Sequence, residues 1–487
     1  LELFIKGHPF VYETQNVVRI FFPNDKIEVK ETGYPVTGEF VTTEVFSDSG
    51  SAVIYNEVYL FGKTLNDKII IPSVKTDDKL VEANIALSLY DMLSALTGYT
   101  PPWGIQTGIR PVKLARKYIK SVGPQKTKEH FENDLQVRPD KAELAVEVGL
   151  NEEEIISRSG EKSCSVYISI PFCPTRCDYC SFVSHDIAGA KKLIPEYINT
   201  LKKEIGAVSG IIKNLGLKTE TIYFGGGTPT SLSASQLDDV LSETAADFDV
   251  SSLMEFTVEA GRPDTINYEK MKILKNYGVG RISVNPQTFS DEIRRNIGRR
   301  HTTAQFYSAY EDAVKAGFDD INIDLIAGLP GDTVENFSDG VKKAVELGSA
   351  NITVHTLALK RASELVTDKK ERTVSKLTDE MINNSQKLLR ENGYIPYYMY
   401  KQSKSVGNLE NVGWSKPGEE GCYNIYMMDE THSVLSAGAG AVTRLKSFRP
   451  EKIERIYNFK YPFEYISRQD ILEERKKKIT EFYRDNF

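Results

Sequence analysis

From Ser165 onward the chain repeats one rhythm: a short apolar run, a turn, then a stretch with apolar residues at helical spacing. The runs are VYISI (166–170), TIYF (221–224), EFTVE (255–259), RISVN (281–285), INIDLI (321–326) and ITVHTL (352–357). Stretches such as EYINTLKKEIGAVSGII (196–212) and VENFSDGVKKAVELG (334–348) lie between or after them. Buried strands alternating with amphipathic helices predict βαβ units and a parallel sheet. Six such units close most of the way into a barrel or lie open as a doubly wound sheet, and periodicity alone does not choose. Upstream the pattern differs. NVVRIFF (16–22), FVTTEVF (40–46) and AVIYNEVYLF (52–61) alternate and are β-branched, which predicts strands. A helix is expected over 81–96, a turn-rich then helical stretch over 101–119, and more helix over 125–158. Downstream of a helix at 378–393 come IPYYMYKQ (395–402), the Gly-rich SAGAGAV (436–442) and a charged helical tail. The expected domains are therefore 1–160 (α+β), 161–393 (the βα repeat) and 394–487 (a smaller C-terminal domain).

Length and composition narrow the class without changing this outline. A chain of 487 residues has room for about three domains. No internal repeat at solenoid periods is visible. No apolar run approaches the ~20 residues of a membrane span, and no basic segment followed by a long apolar stretch marks a signal peptide. A net charge of −7 argues against a general nucleic-acid binder. Three of the five cysteines share one loop, which does not resemble a disulfide framework and fits a reducing cytoplasm.

That loop is IPFCPTRCDYCSF (170–182), with Cys173, Cys177 and Cys180 at the end of the first apolar run. In α/β folds this end of a strand is where ligands bind. Structural zinc normally takes four ligands in CxxC-type pairs, and here the fourth would have to be His185, Cys164 or Cys422. Three inert thiols are the plainest alternative. A [4Fe–4S] cluster is held by thiolates, usually four. With three, one iron keeps an open position, useful where a small molecule must ligate the metal.

The CxxxCxxC spacing, with Tyr179 before the last cysteine, resembles the radical S-adenosylmethionine superfamily. There the vacant iron binds the amino and carboxylate groups of S-adenosylmethionine, and reductive cleavage gives a 5′-deoxyadenosyl radical. YISIPFCPTRCDYCSF, IYFGGGTPT, VEAGRPDT, RISVNPQTF, NIDLIAGLPG and GAGAV together resemble the oxygen-independent coproporphyrinogen III dehydrogenase family. WGIQTGIRPVKLA, TVHTLALKRAS and NLENVG bring the likeness closest to its HemZ-type branch. The resemblance implies an α/β fold: an incomplete parallel (β/α)6 radical-SAM barrel with an N-terminal α+β domain and a small C-terminal domain. It implies a [4Fe–4S] cluster on Cys173, Cys177 and Cys180, with S-adenosyl-L-methionine as second cofactor. It also implies a tetrapyrrole substrate and an electron donor such as flavodoxin or ferredoxin.

The other motifs carry two readings each. GGGTPT (225–230) lacks the GK[ST] ending of a P-loop. It is a tight strand-to-helix turn, or Gly225, Gly226, Gly227 and Thr228 let backbone approach a ligand; in the resembling family this loop meets the methionine amino group. Glu259, Gln287 and Asp324 stand at or after successive strand ends, where lone polar residues are often caps. The resemblance implies that Glu259, Gln287, Arg299 and Asp324 contact the cofactor, with the forked guanidinium of Arg299 suited to its carboxylate. Tyr179 is expected near the adenine, and Tyr167 faces the cluster loop or is a core tyrosine. No catalytic acid or base is assigned. Arg300, His301, Lys360 and Arg361 are candidate cations for substrate carboxylates or ordinary loop charges. Arg110, Lys113, Arg116 and Lys117 read as a solvated helix face or a substrate lid. The Gly-rich 437–441 stretch is a candidate for holding a second cofactor molecule or closing the substrate cavity.

Two positions depart from the family. Its well-characterised members carry histidine where this chain has Ser169, and cysteine where it has Phe182. The expected reaction is oxidative decarboxylation of coproporphyrinogen III propionates to vinyls. The alternatives are another tetrapyrrole reaction, haem methylation with ring opening, and haem carriage without turnover.

Overall fold

The computed structural model describes the chain except residues 24, 36–37, 73–76, 181, 183, 359–367, 403, 449–450 and 487, and the side chains of 368–373 and 448. Two compact units emerge: one of 1–147, 358–379 and 400–410, the other of 148–357, 380–399 and 411–487. The division at 160 and 393 stays our proposal for the underlying modules.

In the first unit, strands β1 (Glu2–Lys6), β2 (Glu28–Lys30), β3 (Phe40–Asp48), β4 (Ser51–Leu60) and β5 (Lys63–Ile71) form one sheet in the order β2-β1-β3-β4-β5. β3, β4 and β5 are antiparallel hairpins, and β1 adds parallel to β3. NVVRIFF is not a strand. All of it but Phe22 lies in helix Val11–Phe21, whose buried residues are Thr14, Val17, Val18 and Phe21. Spacings of three, four and seven are one face of a helix, and a seven-residue window is too short to separate them from alternation. Helix Asp78–Thr97 begins on the Asp77 carboxylate, which accepts from the Lys79 amide at 3.2 Å, and ends at Gly98 with φ 65°. Both helices share a core with β1, β3 and β4 through Leu3, Val18, Val41, Val58 and Leu89. A buried ion pair joins Lys141 to Glu410 at 2.7 Å, and Trp103 Nε1 donates to the other carboxylate oxygen at 2.8 Å. On helix Pro111–Val122 Lys117 is exposed while Arg116 is buried, so the basic set there is not one solvated face.

In the second unit, strands β6 (Ser163–Ile170), β9 (Lys218–Gly226), β10 (Glu255–Glu259), β11 (Arg281–Ser283), β12 (Asp320–Ala327) and β13 (Asn351–Thr356) lie side by side and parallel. β7 (Phe172–Cys173) and β8 (His185–Asp186) make a separate two-stranded ribbon. β14 (Ile395–Lys401) and β15 (Glu410–Ser415) extend the sheet beyond β13; β16 (Ser433–Ala437), β17 (Val442–Phe448) and β18 (Glu451–Tyr457) extend it beyond β6. The six-strand run is thus the expected incomplete (β/α)6 arrangement, open rather than closed. Along each strand apolar residues such as Val166, Phe224, Val258 and Ile323 alternate with a row in register across the sheet: Tyr167, Tyr223, Thr257, Arg281 and Asp320. Arg281 closes the N-terminal end of this polar side, donating to Asp320 at 2.8 Å and to the Glu419 carbonyl at 2.7 Å. Capping boxes at Ser233–Gln236 and Thr302–Gln305 start two of the intervening helices. None of the described helices is long and apolar enough to cross a membrane, and all five cysteines are free thiols.

Candidate functional site

The cysteine loop leaves β6 at Ile170 and is pinned before it turns. The His185 amide donates to the Pro171 carbonyl at 2.8 Å, and β7 and β8 bracket the loop. The glycine turn after β9 holds its other side: the amides of Gly227 and Thr228 donate to the carbonyls of Ile170 and Phe172 at 2.8 and 2.7 Å. A Cβ on Gly227 would stand 2.6 Å from the Phe172 carbonyl oxygen, backbone that cannot yield. Gly226 has φ 106°, and a Cβ there would meet Ser169 Oγ at 2.7 Å. At Gly225 it would crowd Glu259, Tyr167 and Tyr223, each at 3.1 Å. The glycines therefore seat the turn on the cysteine loop.

Ser169, where the family carries histidine, turns away from that loop. Its hydroxyl donates to the Ala439 carbonyl at 2.8 Å, and Tyr197 donates to the Ser169 carbonyl at 2.7 Å while accepting from the Ala439 amide at 3.1 Å. Glu204 accepts from the Gly438 amide at 2.7 Å, from Tyr465 at 2.6 Å and from Lys476 at 2.5 Å. The Gly-rich 437–441 stretch is thereby fixed beside the end of β6.

Two buried arginines attend the thiols. Arg262 Nη1 is 3.9 Å from Cys177 Sγ and donates to the Thr175 carbonyl at 3.1 Å, its other nitrogens held by Asp264. Arg299 Nη1 donates to the Asn285 carbonyl at 2.5 Å and the Gly261 carbonyl at 3.3 Å, and its Nε is buried without a partner. Burial opposes the charge on Arg299, but Tyr179 and Cys177 beside it hold the guanidinium protonated. Burial pushes the Tyr179 hydroxyl up, with Arg299 opposing. Burial also raises the Cys173 thiol, opposed by hydrogen bonds from Thr228 and Ser184 and by Arg262.

The strand tips supply the acceptors. Glu259 accepts from Tyr223 at 2.7 Å; burial lifts its carboxyl to about 7, with the Tyr223 hydrogen bond and His355 opposing and Asp324 reinforcing. Asp324 accepts from Asn285 and Asn322, each at 2.7 Å, and lies 3.7 Å from His355 Nε2. Burial favours its neutral form, but His355, Asn322 and Arg299 outweigh it and hold the pKa below the ordinary value. Gln287 stands at φ 65°, its backbone paired to β12 through Asp324 and Ile326, and its buried Oε1 has no partner. A non-glycine residue in the left-handed region with an orphaned amide oxygen is strained in the manner of ligand sites. Tyr167, Tyr223 and Tyr423 stack with centroids 4.3–6.4 Å apart.

Cys177, Tyr179, Arg299, Asp324, Glu259, Tyr223 and Gly225 thus form one continuous group, joined by Thr228 to Cys173 at 3.4 Å. Sequence reasoning missed Arg262, Asn285, Asn322, His355 and Tyr423. Arg262, Asn285, Asn322 and His355 lay in stretches already singled out (VEAGRPDT, RISVNPQTF, NIDLIAGLPG and TVHTLALKRAS); Tyr423 did not. Among the substrate cations, Arg300 is exposed. His301 is buried instead, both ring nitrogens unpartnered, and burial among Arg299, Arg294 and Arg262 holds it neutral with a pKa of about 2. Lys360 and Arg361 lie outside the described residues. Among these residues no group of three or more His, Cys, Asp or Glu side chains could hold a single metal ion. A [4Fe–4S] cube takes each thiolate on a different iron, so three separated thiols beside two buried cations fit it better than they fit zinc.

The radical SAM superfamily matches residues 167–344 of this chain. The chain is 35% identical, over 96% of its length and 95% of the relative's, to the oxygen-independent coproporphyrinogen-III oxidase-like protein HemZ of Bacillus subtilis. It is 34% identical to the heme chaperone HemW of Lactococcus lactis, over 61% of this chain and 74% of that one. The coproporphyrinogen III oxidase HemN of Escherichia coli, a solved structure, aligns with 67% of this chain and 73% of its own at a TM-score of 0.49 and 20% identity.

Proposed function

The chain belongs to the HemZ-type branch of the oxygen-independent coproporphyrinogen III dehydrogenase family, within the radical SAM superfamily, and from that premise we propose that it oxidatively decarboxylates tetrapyrrole propionates. The substrate in this reading is coproporphyrinogen III and the product protoporphyrinogen IX. One observation carries the assignment of the site: the cysteine loop, the glycine turn and the polar strand tips meet at the same end of six parallel strands.

The superfamily uses a [4Fe–4S] cluster and S-adenosylmethionine, which when bound supply one-electron reduction and hydrogen-atom abstraction from carbon. Cys173, Cys177 and Cys180 would hold the cluster, with Arg262 and Arg299 offsetting thiolate charge. Tyr167, Tyr179, Gly225, Gly226, Gly227, Thr228, Glu259, Gln287, Arg299 and Asp324 would hold the nucleotide. The orphaned Gln287 Oε1 supports this, since a hydroxyl or amino donor would satisfy it. On the substrate a hydrogen leaves the propionate β-carbon, CO2 departs, one electron passes to an external acceptor and a vinyl group remains. A flavodoxin- or ferredoxin-type donor and a reducing cytoplasm are the setting this chemistry calls for.

Haem carriage without turnover is the second reading. It is favoured by the HemW relative and by Ser169, which is committed to the 437–441 stretch rather than to the cysteine loop. Anaerobic incubation with reductant, S-adenosylmethionine and either coproporphyrinogen III or haem, with pigment analysis, separates the readings. Vinyl product supports decarboxylation, an altered haem ring supports the other tetrapyrrole reaction, and stoichiometric haem binding without product supports carriage.

A further inference from the structure

The first unit holds a cavity of about 520 Å³, lined by none of the residues of the candidate site. It is formed by helix Val11–Phe21, the Thr107-Gly108-Ile109 part of the WGIQTGIRPVKLA stretch, and the segment that follows β14. Its volume lies in the range of small-molecule sites.

The lining is one-sided in charge. Arg19, Lys401 and Lys404 contribute cations, and no acidic side chain is among the described residues that line it. Like charges in a concave, low-dielectric wall raise the potential inside and favour an anion. Lys401 is buried, with its Nζ donating to the Gln106 carbonyl at 2.7 Å. Burial draws it down to about 7, with the Glu410 carboxylate opposing.

The rest of the lining suits an aromatic body. Tyr12 is 71% exposed, and Tyr99 is anchored with its hydroxyl donating to the Gly407 carbonyl at 3.0 Å. Flat rings with polar tips are economical surfaces for a planar ligand. Asn408 adds an independent sign. It lines the cavity at φ 55°, and its buried Nδ2 has no hydrogen-bond partner. Lys404 is likewise in the left-handed region, at φ 68°. Two such non-glycine residues within five positions mark a segment held in a demanding shape. An orphaned amide donor in a cation-lined cavity calls for an acceptor.

We propose that this cavity binds a planar aromatic anion, its phosphate or carboxylate held by Arg19, Lys401, Lys404 and the Asn408 amide and its ring by Tyr12 and Tyr99. The proposal is independent of the cluster and of the tetrapyrrole reading. It gives the TGI part of the WGIQTGIRPVKLA stretch a place in a ligand site.

The test is calorimetry on the full chain with three probes sharing one ring: 1-naphthyl phosphate, 2-naphthoate and neutral 2-naphthol. At least one anion should bind ten-fold or more tightly than 2-naphthol, and which one does so identifies the head group. Arg19→Gln with Lys404→Gln should weaken that anion ten-fold or more while leaving the thermal midpoint and 5′-deoxyadenosine formation unchanged. Tyr12→Ala, at an exposed position that folding does not need, should weaken all three probes together. Equal affinity for the three probes, or a double variant that folds and binds as the parent does, would overturn the proposal.

Discussion

Replacing Glu259 by glutamine should make the cofactor-free protein more stable at pH 8 than at pH 5, relative to the parent. Glu259 ends β10 among Tyr223, Asp324 and His355, and burial lifts its carboxyl from 4.5 to about 7. The folded state therefore keeps a proton that the unfolded chain has released. Between 4.5 and 7 the unfolded state binds fewer protons, so the parent loses stability as pH rises. The full difference is about 3.4 kcal/mol, of which about 0.8 is already lost at pH 5, leaving about 2.5 between pH 5 and pH 8. Solvent reaching the half-buried carboxylate screens part of this, so the expected change is about 1.5–2.5 kcal/mol. Glutamine keeps the acceptor for Tyr223 and carries no titrating proton. Urea denaturation of both proteins at pH 5, 6, 7 and 8 gives the difference directly, and the parent's other carboxylates cancel in it. A difference that is flat with pH, or that grows toward acid, would refute the reasoning that Glu259 is desolvated in the folded state.

Other expectations follow from individual contacts. Glu204→Ala strands the Lys476 ammonium, the Tyr465 hydroxyl and the Gly438 amide, and should cost about 3–5 kcal/mol in urea denaturation. Gly227→Ala drives a Cβ against the backbone of Phe172 and should leave anaerobically reconstituted protein with under half the parent's iron, measured by colorimetric assay against protein concentration. Lys141→Met removes the ammonium 2.7 Å from the buried Glu410 carboxylate, which keeps the Trp103 hydrogen bond and the charge of Lys401, and should lower stability by about 3 kcal/mol, read by the same melts. Ser169→Ala removes one hydrogen bond to the 437–441 stretch and should cost only about 0.5–1.5 kcal/mol.

The six parallel strands were legible because strands buried in a parallel sheet read as short continuous apolar runs. VYISI, INIDLI and ITVHTL fall within one to three residues of the observed strand ends. NVVRIFF failed for the opposite reason: its helical spacing shows only when Thr14 is read with Val17, Val18 and Phe21. The cysteine loop and the glycine turn were legible as local motifs. The partners of Asp324 were not, because Asn285 and His355 reach it through strand register, which no local pattern encodes. His301 read as a cation for substrate or an ordinary loop charge, yet it is buried beside three arginines that keep it neutral. Arg262 was hidden by its own ion pair with Asp264, two residues away, which reads in sequence as an ordinary surface contact.

The central claim is that Cys173, Cys177 and Cys180 hold a [4Fe–4S] cluster with one iron open to S-adenosylmethionine. Electron paramagnetic resonance of the anaerobically reconstituted, dithionite-reduced protein tests it most directly. Reconstituted protein should carry about four iron and four sulfide per chain, and give a reduced-cluster signal whose g-values shift on adding S-adenosylmethionine. The signal should vanish when any one of the three cysteines is replaced by alanine. A protein that takes up no cluster, keeps it without these thiols, or shows a signal indifferent to S-adenosylmethionine has no such cluster on Cys173, Cys177 and Cys180.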